Sequence, residues 1–321
     1  MKRRFKVFTV LMAIVAVFGL FGCGGGEQSG EGSTSSSSSS VVDSSTSSSE
    51  EESSSSSAVD PTKPYGSWEL TEFIKAESAT YSISGIGYEL SMKNSVDGTI
   101  LGGSGADVVI EGEEEECTFL TLKGNEVGEL RPAEGGTVTF KNLTIFGGTG
   151  TEVEEFSTHR VGYFGVAGKM RFENCVIEGS VQVRDGADVT FENCTFVSPA
   201  TKKYAVWVSD GNASFVNCTF EGYRGLKLHE QKKYGYDIVG VYLDGCVFSN
   251  LSVKPGIAIG TIEVDPTSTT LWVKNCTFIG CQSWDVAGSV EGVDGFYEAD
   301  VATSSFNFIS ENNYVNGNLL G

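Results

Sequence analysis

Val181-Gln-Val-Arg-Asp-Gly-Ala-Asp-Val-Thr-Phe-Glu-Asn-Cys-Thr-Phe196 is followed, after a short variable stretch, by Ala205-Val-Trp-Val-Ser-Asp-Gly-Asn-Ala-Ser-Phe-Val-Asn-Cys-Thr-Phe220. Each segment reads as three short strands separated by two turns. Apolar and polar residues alternate, which is the period of a strand with one buried side. Asp-Gly marks the first turn and Asn the second, residue types that tolerate positive φ. Constant strands with one variable loop per unit predict stacked coils.

The second half of this unit recurs along the chain. Phe140-Lys-Asn-Leu-Thr-Ile145, Phe172-Glu-Asn-Cys-Val-Ile177, Leu243-Asp-Gly-Cys-Val-Phe248 and Val273-Lys-Asn-Cys-Thr-Phe278 bring the copies to six, at steps of 19 to 32 residues. No 3.6-residue periodicity fills the intervals, which argues against a helical repeat. Glu311-Asn-Asn-Tyr-Val315 is a degenerate last copy.

These copies resemble the right-handed parallel β-helix of the pectate-lyase-like superfamily, over most of residues 65–321. The resemblance implies an all-β solenoid of three parallel sheets and roughly 8–10 coils. It also implies a stack of asparagines in the turn between the second and third strands. Asn142, Asn174, Asn193, Asn217 and Asn275 match that position, with their amides expected to turn inward and bond along the axis. Gly245 departs from it, after the insertion Glu230–Asp237, so the ladder is expected to break there. The Asn-Cys-Thr triplets also spell an N-glycosylation acceptor, taken here as a by-product of the repeat. Ser67 to Glu77 reads as a short amphipathic helix with Ser67 as N-cap, covering the open end of the first coil.

Cys175, Cys194, Cys218, Cys246 and Cys276 share one repeat position. Stacked strands lie about 4.8 Å apart, so these residues form a column. Parallel side chains are poorly placed for disulfide geometry, and the column is expected to be reduced and packed as small apolar groups. Cys276 and Cys281 are the best-placed pair for a disulfide.

Outside the repeat the chain carries an address. Lys2, Arg3, Arg4 and Lys6 precede an apolar run from Val7 to Phe21, too short for a typical membrane span and suited to a signal peptide. The run ends Leu20-Phe21-Gly22-Cys23, which resembles a bacterial lipobox. That resemblance implies cleavage after residue 22, lipidation of Cys23 and attachment to the membrane through the lipid. Between Ser33 and Ser57, 17 of 25 residues are serine, a composition unable to bury a core. The domains are therefore a signal peptide (1–22), a lipidated Ser-rich linker (23–61) and a β-helix (62–321).

Charge restricts the partners. With 22 basic and 42 acidic residues the net charge is -20, which excludes a nucleic-acid-binding surface. Only 2 histidines leave little room for a His-rich metal site.

The first strands of the coils offer a ligand face. With Val181/Val183, Val206/Val208 and Leu226/Leu228 inside, one outward row is Tyr163, Gln182, Trp207 and Lys227. The next is Arg184, Ser209 and His229, followed by Asp185, Asp210 and Glu230. An outward aromatic flanked by amide and cationic groups could stack on a sugar ring and bond its hydroxyls. A solvated sheet face with one amphipathic Trp is the plainer alternative, and Lys227 or His229 as a catalytic base is a third. Asp107, Glu111 and Glu113 are a weak calcium candidate; no other cofactor is indicated. Pectate lyases of this fold use calcium-binding acidic clusters and a uronate-binding Arg motif, and polygalacturonases several aspartates and a Gly-His-Gly segment; neither the Arg motif, nor Gly-His-Gly, nor paired aspartates on a strand occur. The chain thus reads as a bacterial cell-envelope lipoprotein, monomeric, with its domain outside the cytoplasm. Its β-helix would be a non-catalytic binding or structural module with polysaccharide as a candidate ligand. A polysaccharide lyase or hydrolase, and a protein-contacting adhesin, are the alternatives.

Overall fold

A computed structural model describes residues 77–83, 88–91, 99–112, 119–123, 128–147, 163–198, 204–230, 235, 237–260, 269–284 and 288–320. All belong to the unit Ser56–Gly321. The lipobox, the serine linker, residues 67–76 of the expected capping helix, Glu113 and Cys117 lie outside them.

The architecture is an all-β, right-handed parallel β-helix. Among the described residues its sheets hold nine, nine and ten strands, and each full coil visits them in a fixed order. One coil runs through Val206–Val208 in sheet 1, Gly211–Val216 in sheet 2 and Thr219–Gly222 in sheet 3. Successive coils pair parallel and in register, with Phe172 opposite Phe191 and Phe191 opposite Phe215. At the C-terminal end two pairings turn antiparallel, Glu291–Val293 on Tyr297–Ala299 and Tyr314–Val315 on Asn318–Leu319. Such short antiparallel strands blunt edges that would otherwise template further pairing.

Strand alternation and exact stacking explain the core. Phe140, Phe172, Phe191 and Phe215 form one column, with ring centroids 4.9–5.2 Å apart. Phe196, Phe220, Phe248 and Phe278 form a second, at 4.4–4.8 Å. Each buried ring contributes about 2–3 kcal/mol by removal from water. The columns meet edge-on, as at Phe191 and Phe196.

The turn between sheets 2 and 3 needs a left-handed residue. Asn142, Asn174, Asn193, Asn217 and Asn275 all have φ of 52–54°, and Gly245 takes the same place at 66°. The asparagine side chains point outward, contrary to the inward orientation expected from sequence: all but the half-buried Asn142 are exposed. The left-handed corner swings the Asn side chain to the surface and turns the following residue into the core. The amides still bond along the axis, Asn193 to Asn174 and Asn174 to Asn142 at 3.2 Å each. Asn142 donates in turn to the Glu111 carboxylate at 3.4 Å. At Gly245 no amide is available, and a Cβ there would come within 2.6 Å of Asn217 Oδ1. Asn275 turns instead to the neighbouring Asp244 carboxylate at 2.7 Å.

The residue after each turn faces inward. Cys175, Cys194, Cys218, Cys246 and Cys276 are buried free thiols. The Sγ–H groups of Cys175, Cys194, Cys218 and Cys246 donate to the carbonyls of Phe140, Phe172, Phe191 and Phe215 in the preceding coil, at 3.3–3.5 Å. Neighbouring thiols and burial push the Cys175 and Cys246 pKa well up. Cys281 is also free, so the disulfide envisaged between it and Cys276 is not formed. Its Sγ–H donates to the Phe248 carbonyl at 3.5 Å, and both side chains are committed to different corners.

Candidate functional site

The outer side of sheet 1 carries most of the residues singled out from sequence. Val181, Val183, Val206, Val208, Leu226 and Leu228 are fully buried beneath it. Register aligns one outer row as Glu129, Gly165, Gln182, Trp207, Lys227, Ala258 and Glu298. Tyr163 does not belong to it: it pairs with Ser180, and Gly165 stands beside Gln182. The phase is fixed by Val166 opposite Val183, which places Tyr163 two residues early.

The row is not an open sheet surface. Gln182, Arg184 and Ser209 are buried. Gln182 Nε2 donates to Ser209 Oγ at 3.0 Å, and Ser209 Oγ donates to the Val183 carbonyl at 3.1 Å. Arg184 Nε donates to Glu129 Oε2 at 2.6 Å, while Arg131 engages Oε1. Arg131 also approaches Asp185 at 3.4 Å. Gly165 makes this arrangement possible, since a Cβ there would lie 2.6 Å from Arg184 Nε. Arg184 is therefore a structural ion-pair partner of a fully buried glutamate, which sequence reasoning missed. Its Nη2 is left without a hydrogen-bond partner.

Further along the row the character changes. Lys227 Nζ lies 5.5 Å from the Tyr204 ring centroid and 5.3 Å from that of Trp207. The Arg224 guanidinium sits 5.2 Å over Tyr204 and 5.4 Å over Tyr223. Trp207 Nε1–H donates to the His229 carbonyl at 3.1 Å, fixing the indole. The His229 ring lies 6.1 Å from it and packs against Gly260. Trp207, Lys227 and His229 are half-buried. Burial lowers the Lys227 pKa, opposed by the Asp300 carboxylate and reinforced by Lys254 and Arg224. Burial also raises the Tyr204 pKa. At the end of the row Glu298 is ion-paired with Lys254 through Oε1, and its buried Oε2 has no hydrogen-bond partner.

Asp210 and Glu230 are structural. Asp210 accepts the backbone N–H groups of Gly186 and Asp237 at 2.8 and 2.9 Å, and Glu230 that of Ile238 at 3.1 Å. Asp107 and Glu111 sit at opposite ends of one strand, about 13 Å apart at strand rise, so their carboxylates do not converge. Among the described residues no group of three or more His, Cys, Asp or Glu is arranged to hold a metal.

Tyr204, Arg224, Lys254 and Glu298 escaped the sequence reading. The strands Ile257–Ile259 and Tyr297–Ala299 are three residues long and separated by irregular loops, so the repeat is too faint there to align Glu298 with Lys227.

Comparison with protein families agrees with this architecture. A family described as a right-handed beta helix region matches residues 163–319, just under half of the chain. That stretch contains the whole row from Gly165 to Glu298. No curated protein and no solved structure matches the chain.

Proposed function

We propose that this chain is a bacterial surface lipoprotein, anchored through Cys23, whose β-helix of the pectate-lyase-like kind is a non-catalytic module binding an acidic glycan at sheet 1. The observation that carries this reading is Lys227 held between the Tyr204 and Trp207 rings, with Arg224 stacked beside it. On a chain of net charge -20, two cations gathered among aromatic rings mark the place suited to an anionic ring. Aromatic faces take the apolar side of a sugar, and ammonium and guanidinium groups take its carboxylate. A short row of such groups favours weak contact multiplied by surface display. The test is retention of the purified protein on an array of acidic and neutral glycans. Acidic glycans should be retained, and Trp207→Ala and Lys227→Ala should each reduce that retention; unchanged retention in both would overturn the reading.

The lowered pKa of Lys227 favours one second reading, a polysaccharide lyase with Lys227 as base. Unsaturated products, lost in Lys227→Met, would replace the binding module with the enzyme.

A further inference from the structure

On the outer side of sheet 2, register aligns Thr139, Arg171, Thr190, Ser214, Tyr242, Trp272 and Ile309. The row is polar or charged from Thr139 to Ser214, then becomes aromatic. Tyr242 is 38% exposed, and its ring lies 6.2 Å from that of Trp272 at 89°. Two features display the pair. The strand Ile238–Asp244 contains a bulge: Gly211 pairs with Ile238 but Asn212 with Gly240, so Val239 is extra. Bulges re-aim neighbouring side chains and occur beside binding sites. The Tyr242 ring then lies back over Gly240, where a Cβ would be 2.6 Å from the ring and 2.8 Å from its hydroxyl.

We infer that Tyr242 and Trp272 form a second ligand site, distinct from that on sheet 1, which takes the flat face of a neutral sugar ring within an oligosaccharide. Charge selects this occupant. On one side run Asn212, Thr270 and Asn307, all uncharged, with Asn307 Nδ2 donating to Thr270 Oγ1 at 3.2 Å. On the other, Lys274 stands in register between Asp244 and Glu311 and its Nζ lies 5.4 Å from the Trp272 ring centroid, so the ammonium already has the ring and two flanking carboxylates about it and no cation excess is left for an anion. A second copy of a chain at -20 is disfavoured by repulsion. A neutral, hydroxyl-rich ring matches both parts, the aromatic centre and the amide and hydroxyl flanks. Two adjacent strands, about 4.8 Å apart, match the width of one such ring.

The test is affinity electrophoresis of the full chain in non-ionic detergent, in native gels containing arabinoxylan, glucomannan or xyloglucan. At least one of these should retard the protein. Tyr242→Ala and Trp272→Ala should each weaken that retardation roughly tenfold, and Tyr242→Phe should keep it. Tyr242 is the exposed member, so its substitution keeps the test decisive if Trp272→Ala fails to fold. Retardation by none of the three, or retardation unchanged in Tyr242→Ala, overturns the inference. A parallel gel with polygalacturonate reports the sheet 1 site, so either proposal can fail without the other.

Discussion

Asn313 occupies, in the last coil, the place that cysteine holds in the five before it, and it bonds directly to Cys276. Its Oδ1 accepts the Cys276 backbone N–H at 2.9 Å, and its Nδ2 donates to the Val273 carbonyl at 2.8 Å. It is fully buried, and Asn312 before it supplies the left-handed φ of 52°. The amide thus reaches back to the preceding coil as the thiols do, while also satisfying a backbone donor. Asn313→Leu would strand one donor and one acceptor in the core and should lower stability by roughly 2–4 kcal/mol. Asn313→Cys keeps a donor and should lose less. Urea unfolding monitored by circular dichroism separates the two; equal losses would mean that the amide's bonds are immaterial.

The thiols should differ in reactivity. Cys281 is half-buried and the column fully buried, so labelling of the native protein near neutral pH should reach Cys281 before any column residue. Burial raises the Cys281 pKa from 9.0 to about 11. Between those values the folded state holds a proton that the unfolded state has released. This contribution to stability is present below pH 9.0 and is lost as pH rises towards about 11. Labelling of Cys281 should accelerate through the same interval. Mass-spectrometric mapping checks both, and a column cysteine modified first would refute the packing argument.

The coil and its in/out phase were legible because each copy repeats the same local problem: Phe inward, a left-handed Asn, and a small residue turned into the core. The direction of the Asn amides was not, because a pattern of residue types does not state which way a left-handed corner throws its side chain. Along sheet 1, Trp207 and Lys227 follow from alternation within adjoining copies. Glu129 and Glu298 lie in strands that carry no Asn-Cys signature, and only register brings them into line. Gly165 illustrates the limit most plainly. It reads as an unremarkable strand glycine until the Arg184 guanidinium is seen lying over it.

That contact makes Gly165→Ala a sharp test of the buried cluster. The added methyl would displace Arg184 from Glu129, leaving a fully buried carboxylate with Arg131 alone. Breaking one partner of a buried pair costs about 3–5 kcal/mol. Gly165→Ala should therefore destabilise strongly, although an alanine would ordinarily favour a strand over glycine. Adding Glu129→Gln should recover part of the loss by removing the stranded charge. If Gly165→Ala is neutral in urea unfolding, the guanidinium has room to move and the cluster is not rigid.

Lys227 separates stability from binding. Burial lowers its pKa from 10.5, so between the folded value and 10.5 the unfolded state binds more protons. Stability then rises with pH across that interval, and the ammonium is a liability at neutral pH. Lys227→Met keeps an unbranched apolar stem and removes the charge that lies near the Tyr204 and Trp207 rings. The variant should be at least as stable as the parent at neutral pH, with any advantage shrinking as pH climbs towards 10.5. The same variant should lose retention by acidic glycans, because the cation is what the anionic ring would meet. Urea midpoints at neutral and alkaline pH, paired with polygalacturonate electrophoresis, read both effects from one protein. A fall in stability at neutral pH without loss of retention would make Lys227 a structural cation, and sheet 1 would no longer be the place to look for a ligand.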